Sequence, residues 1–139
     1  MRTWRNPGSQ DEFLEIASGI TEVLDDEGTA QSIDDTPDAF VEWLRSRVVL
    51  DVGEPINATV DGLPATQIDV VAQFSTQLYT YPDAPTTYGL AAGQRVRFIT
   101  LMVGDTRVQI AAEAPDATLD PFWGRVEPIV ESLTFPDDA

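Results

Sequence analysis

The sequence predicts an α+β domain in which a mostly antiparallel sheet is flanked by helices on both faces. Three observations carry this. The apolar period changes from helical spacing to two after residue 56. Two strand pairs then turn on Asp61-Gly62 and Gly104-Asp105, short-range hairpin signals that imply antiparallel pairing. One of those strands, RVRFITLMV, is apolar on both sides at Phe98, Ile99, Leu101, Met102 and Val103, so helices must cover the sheet.

Taken in order, residues 1–36 form a variable N-terminal part with two readings. Phe13, Ile16, Ala17, Ile20 and Leu24 fall at helical spacing, with Ser9 and Glu12 as a capping box and Gly28 as a stop. Ser18-Gly19 in the middle instead divides two short strands, EFLEIA and ITEVL. Residues 36–47, TPDAFVEWLRSR, read as a helix capped by Thr36, with Pro37 in its first turn and Asp38 and Glu42 near its positive end. Its apolar stripe is Phe40, Val41, Leu44 and Val48, and Trp43 lies off it.

In the first strand pair Ile68, Val70, Ala72 and Phe74 share one face, and Pro64 implies an edge or irregular start. In the second, Val108, Ile110 and Ala112 alternate against a polar face of Arg107, Gln109 and Glu113. Residues 75–94 lack sustained periodicity and read as a long connection. The last element is a helix from Asp120-Pro121, with Phe122, Val126, Ile129, Val130 and Leu133 buried and Pro128 kinking it or splitting off its first turn. With 139 residues and no internal repeat, the chain reads as a single domain, 1–139.

Composition excludes more than it assigns. The formal charge of −16 makes nucleic acid and anionic membrane surfaces poor partners. All eight basic residues are arginines, so no Schiff-base or phosphate-binding lysine exists. A GC-rich coding sequence explains that bias, and a salt-adapted source is the other explanation. Without cysteine or histidine there is no disulfide, thiolate nucleophile, Ser-His-Asp triad or His-ligated metal within the chain. No cofactor is expected, and catalysis would have to run on carboxylates or tyrosines. No stretch approaches the roughly 18–20 apolar residues that span a bilayer. The opening MRTWRNPGSQ lacks the apolar core of a signal peptide, so the chain is expected to be soluble as it stands or a piece of a longer exported protein.

The segment QLYTYPDAPTTYGL holds every tyrosine, Tyr79, Tyr81 and Tyr88. Tyrosine joins a flat apolar body to a polar tip and suits recognition, so these three are candidate ligand-binding residues. The plainer alternative has Tyr79 and Tyr81 extending the preceding strand and packing on the sheet. Trp123, at the start of the last helix, is either a core anchor or an addition to that aromatic surface. Asp25, Asp26 and Glu27 offer hard oxygen ligands but do not match a calcium loop, and the plainer reading is a solvated turn.

The run from VDGLPATQIDV through the strand pair turning at VGD, then EAP and FWGRVEPIVESLTF, resembles PsbP-like domains, nearest to the actinobacterial LpqN-like lipoproteins. The resemblance covers roughly 37–135, with Ser132, Leu133 and Phe135 matching the end of the family's closing helix. It implies a PsbP-like α/β/α sandwich, favours strands over a helix in residues 10–27, and implies a binding or assembly role. An exported or cell-envelope bacterial protein engaging a protein or small ligand is therefore expected, rather than an enzyme. The alternatives are a carboxylate- and tyrosine-based hydrolase acting on carbohydrate, or a purely structural assembly domain.

Overall fold

The computed structural model describes residues 12–82 and 86–135, and the backbone alone of residues 2–5. Two antiparallel sheets stack, and the described residues add two helices. The seven-stranded sheet runs β1 (Arg2–Arg5), β2 (Phe13–Ser18), β11 (Thr106–Pro115), β10 (Gln94–Val103), β7 (Leu63–Ala72) and β5 (Leu50–Val52), and β6 (Ile56–Val60) shares the outer edge of β7 with β5. The four-stranded sheet runs β4 (Ala30–Ser32), β3 (Glu22–Leu24), β8 (Thr76–Thr80) and β9 (Thr87–Leu90). The helices are α1 (Pro37–Ser46) and α2 (Leu119–Glu131), the latter following a 3₁₀ turn at Asp116–Thr118.

Both hairpins form where the turn residues place them. Val60 pairs with Leu63 around Asp61 and Gly62, which both hold positive φ (53° and 73°), as a type I′ turn requires. Val103 pairs with Thr106 around Gly104, at φ 63°. Pro64 sits beyond the stretch of β7 that pairs with β10, where its missing N–H costs that ladder nothing.

The doubly apolar β10 separates two cores. Val96 and Phe98 join Ile68, Val70 and Ala111 in a core that α1 closes with Phe40, Trp43 and Leu44. Ile99, Leu101 and Val103 join Ile110 and Ala112 in a second core, closed by Leu119, Phe122, Val126 and Val130 of α2.

Several expectations are corrected. Flanking helical layers on both faces are not what covers the sheet: the described residues contain two helices, and α1 shares its face with the four-stranded sheet, which supplies Val23, Leu78, Tyr79 and Tyr88. Residues 75–94 are no structureless connection, because β8 and β9 pair within them; only 83–85 lie outside the described residues. In residues 12–27 the strand reading holds over the helical one: Gly19, at φ 72°, separates β2 from β3. Ser9 of the alternative capping box lies outside the described residues. Thr36 caps α1 by accepting from the Ala39 N–H, but Trp43 is buried while Val48 is 79% exposed. Phe74 lies past the end of β7 and is 67% exposed. Pro128 does not end α2, which continues to Glu131.

Candidate functional site

The tyrosines follow from a β-bulge. The register of β8 against β9 shifts between Gln77 and Tyr79, so the consecutive side chains of Leu78 and Tyr79 are both fully buried. Tyr79 then lies opposite Tyr88, with ring centroids 5.1 Å apart, and Tyr81 stands edge-on to Tyr79 at 5.6 Å. Phe40, Phe98 and Phe13 complete the layer, with Phe40–Phe98 at 5.1 Å and Phe13–Tyr88 at 5.9 Å.

Against these rings the large sheet sets polar groups. The polar face of β11 expected to meet water is inside: Arg107 and Gln109 are each 1% exposed and Glu113 is 7%. Glu15 of β2, on the same strand face as Phe13 and Ala17, is 5% exposed. The Tyr81 hydroxyl donates to both Glu15 oxygens (2.7 and 2.8 Å), and the Tyr88 hydroxyl donates to Glu113 Oε1 at 2.5 Å. Gln94 Nε2 donates to the other Glu113 oxygen at 3.0 Å. The Tyr79 hydroxyl lies within electrostatic reach of Glu15 and Gln109 without a formed hydrogen bond to either. Burial pushes the Glu15 carboxyl above its ordinary 4.5; the Tyr81 hydrogen bond opposes this and the nearby Glu113 charge adds to it. Burial, with the Glu113 and Glu15 carboxylates, raises Tyr88 well above the usual phenol value.

Arg107 packs 4.6 Å from the centre of the Phe40 ring and is held through its terminal nitrogens. It donates to Gln109 Oε1 (2.6 Å) and to the Ile20 carbonyl, and its Nε lies 3.7 Å from Asp35. Desolvation holds its pKa below the usual guanidinium value, with Asp35 opposing.

The structure places the tyrosines as packed residues and does not bring Trp123 to them. Tyr79 and Tyr88 are buried, and Tyr81 is half-buried with its hydroxyl on Glu15. Trp123 packs against the other core, across the sheet, where its indole N–H donates to Glu127 at 3.2 Å. The Asp25–Glu27 run is a turn in which Asp25 and Asp26 accept from protein donors. Asp25 Oδ1 accepts from the Glu27 and Thr29 N–H groups, and Asp26 accepts from Arg47 Nε (2.7 Å) and the Val48 N–H (2.8 Å). Among the described residues no group of three acidic side chains is placed to hold a metal ion.

What remains open is part of the sheet face beside α2. Consecutive short strands β5 and β6 line the outer edge of β7, and the link at residues 53–55 stands beside a groove of about 380 Å³. Its lining includes Asp51, Glu54, Gln67, Asp69, Val71 and Arg95. A charged ladder leads from it to α2. Arg97 grips Asp69 through two bonds (2.8 and 2.9 Å), Arg95 meets Asp116 at 2.7 Å, and the Arg97 guanidinium lies 5.2 Å from the Trp123 ring centre. The sequence held no signal for this groove, since Arg95, Arg97 and Asp69 read as ordinary alternate positions of strands.

The molecule is thus a two-sheet α+β domain with a buried carboxylate–tyrosine layer and an open polar groove. No protein-family model matches the chain, and no curated protein does. Among solved structures it is similar to the solution structure of cyanobacterial PsbP (CyanoP) from Synechocystis sp. PCC 6803. The identity is 8%, the match covers 94% of this chain and 68% of that one, and the TM-score is 0.44.

Proposed function

We propose that the chain is a non-catalytic binding domain that engages a protein segment or small polar ligand in the groove beside β5 and β6. The observation behind this is the groove itself, where guanidinium, carboxylate and amide groups meet on neighbouring strands. The PsbP-like resemblance read from residues 37–135, and within it the LpqN-like one, adds an exported or cell-envelope bacterial setting to the proposal. The hydrolase alternative gains little: the acid with a raised pKa, Glu15, lies beneath Tyr81 and not in the groove.

The test is a titration panel of peptides, sugars and lipids against the chain and a Gln67→Trp variant, which fills the groove from a half-buried position. Loss of a saturable interaction by tenfold or more in the variant supports the proposal. Unchanged binding there removes it. Glycan turnover that disappears in Asp51→Asn or Glu54→Gln would make the chain a hydrolase instead.

A further inference from the structure

A second groove, of about 440 Å³, opens on the other face of the large sheet at the N-terminal end of α1. Thr36, Pro37 and Asp38 of the helix start form one wall, and residues of β6, β7 and β10 form the floor. The pairing explains the floor. Asn57 lies opposite Thr66, Thr66 opposite Thr100, and Thr100 opposite Gln109. Cross-strand partners project to the same side of a sheet, so these four make one row of neutral hydrogen-bonding groups across four strands. The row runs inward, from exposed Asn57 through half-buried Thr66 to Thr100 at 0% and Gln109 at 1% exposure.

The row is unsatisfied at Thr100. Thr100 Oγ1 has no hydrogen-bond partner among the described residues, whereas Gln109 is held by Arg107 at Oε1 and has the Tyr79 hydroxyl within reach. Buried polar atoms are nearly always paired, and a vacant donor or acceptor costs about 1–3 kcal/mol, so the Thr100 hydroxyl on the groove floor points to a partner from outside the chain.

Charge selects the kind of partner. Among the described residues no cation lines the groove, and nearby Arg107 faces Asp35, Gln109 and Ile20. An anion drawn to the helix end would meet Asp38, whereas a cation would meet the positive end of α1. Met102 and Pro64 add apolar lining of the sort that a carbon skeleton covers. We propose that this row is a binding site for a small neutral hydroxylated molecule of polyol or monosaccharide type, with a hydroxyl seated at Thr100. The flexible thioether of Met102, next along the same strand face, yields to admit it.

The experiment is an NMR titration of the whole chain with glucose and glycerol as neutral probes and inorganic phosphate as the charged one. Saturable shifts at Asn57, Thr66 and Thr100 with a neutral probe, absent with phosphate, are expected. Thr100→Val, which keeps the shape and removes the hydroxyl, should weaken that binding at least tenfold. Should this variant fail to fold, Asn57→Ala at the exposed end of the row serves in its place and should weaken binding at least threefold. Gln67→Trp, on the other face, should leave the binding unchanged, which separates this site from the first groove. No saturable shift with either neutral probe, shifts with phosphate instead, or full affinity in the substituted row would overturn the proposal.

Discussion

Arg47 and Asp26 form an ion pair in which the less buried partner should be the costlier to remove. The Arg47 side chain is 1% exposed and Asp26 is 28%. Arg47 joins three segments: it donates to Asp26 in the β3–β4 turn (2.7 Å), to the Leu24 and Gln77 carbonyls (3.0 and 3.1 Å), and to Thr76 Oγ1 (2.5 Å). Asp26→Ala removes the counter-charge of a buried guanidinium, which costs about 3 kcal/mol, the low end for a broken buried pair because water reaches the vacated Asp26 position. Arg47→Met keeps the apolar volume and leaves groups that recover. Asp26 retains water and the Val48 N–H, the Leu24 carbonyl retains the Trp43 indole N–H, and Gln77 and Thr76 lie near the surface. The net loss is then about 2 kcal/mol, the scale of one charged hydrogen bond. Urea unfolding with unchanged slope should show Asp26→Ala losing the larger free energy, and the double variant less than the sum. Thermal midpoints should follow, at roughly 3–5 °C per kcal/mol for a domain of this size. An Arg47→Met cost equal to or above that of Asp26→Ala would refute the reasoning, since exposure alone would then rank the two.

The acid limb separates two carboxylates of opposite sign. At Asp26 burial pushes the pKa up, but the Arg47 and backbone hydrogen bonds outweigh it and leave it lowered, so its contribution persists above its ordinary 3.8 and fades as pH falls through the depressed value. Glu15 is raised, so its ionisation opposes folding; stability should grow as pH falls from neutral through that raised value towards 4.5, and Glu15→Gln should remove that part of the rise in urea midpoints. Tyr88→Phe takes the 2.5 Å donor from a buried carboxylate and should cost about 1.5–3 kcal/mol. Tyr81→Phe, at a half-buried position, should cost less and move the Glu15 titration further up, as read by carbon NMR of its carboxyl. Phe74→Ser should leave stability within about 0.5 kcal/mol, because that ring is already in water.

The local signals that the sequence displays best are those whose physics is local. The two hairpin turns, the Thr36 cap and the doubly apolar β10 could be read because turn chemistry and alternation act within a few residues. The small sheet could not, because β3 and β8 meet through a single pair, Val23 with Tyr79, far apart in the chain. Its presence also inverted the polar face of β11: Arg107, Gln109 and Glu113 are charged or polar, and only the covering layer makes them interior. Trp43 escaped the helical stripe because its partner is the Leu24 carbonyl from that same sheet. Of the candidate site, the tyrosines were found but their direction was not, since one bulge at Gln77–Tyr79 decides it. Glu15 carried a usable signal, a carboxylate in phase with Phe13 and Ala17.

Because every tyrosine of the chain stands in the layer between the two sheets, the phenols double as a built-in gauge of whether those sheets are docked. Burial raises the ionisation of Tyr79, Tyr81 and Tyr88 above the ordinary phenol range, Glu15 adding at Tyr79 and Tyr81 and Glu113 adding most at Tyr88. Phenolate absorbance in alkali should thus arise in one step with the parting of the layers, rather than one ring at a time. Trp43 packs with α1 and Trp123 with α2 in different cores, so variants that keep one of them and replace Trp4 and the other by Phe report on each helix by fluorescence. Coincidence of the two signals would establish that the whole domain opens as a unit, with no label attached.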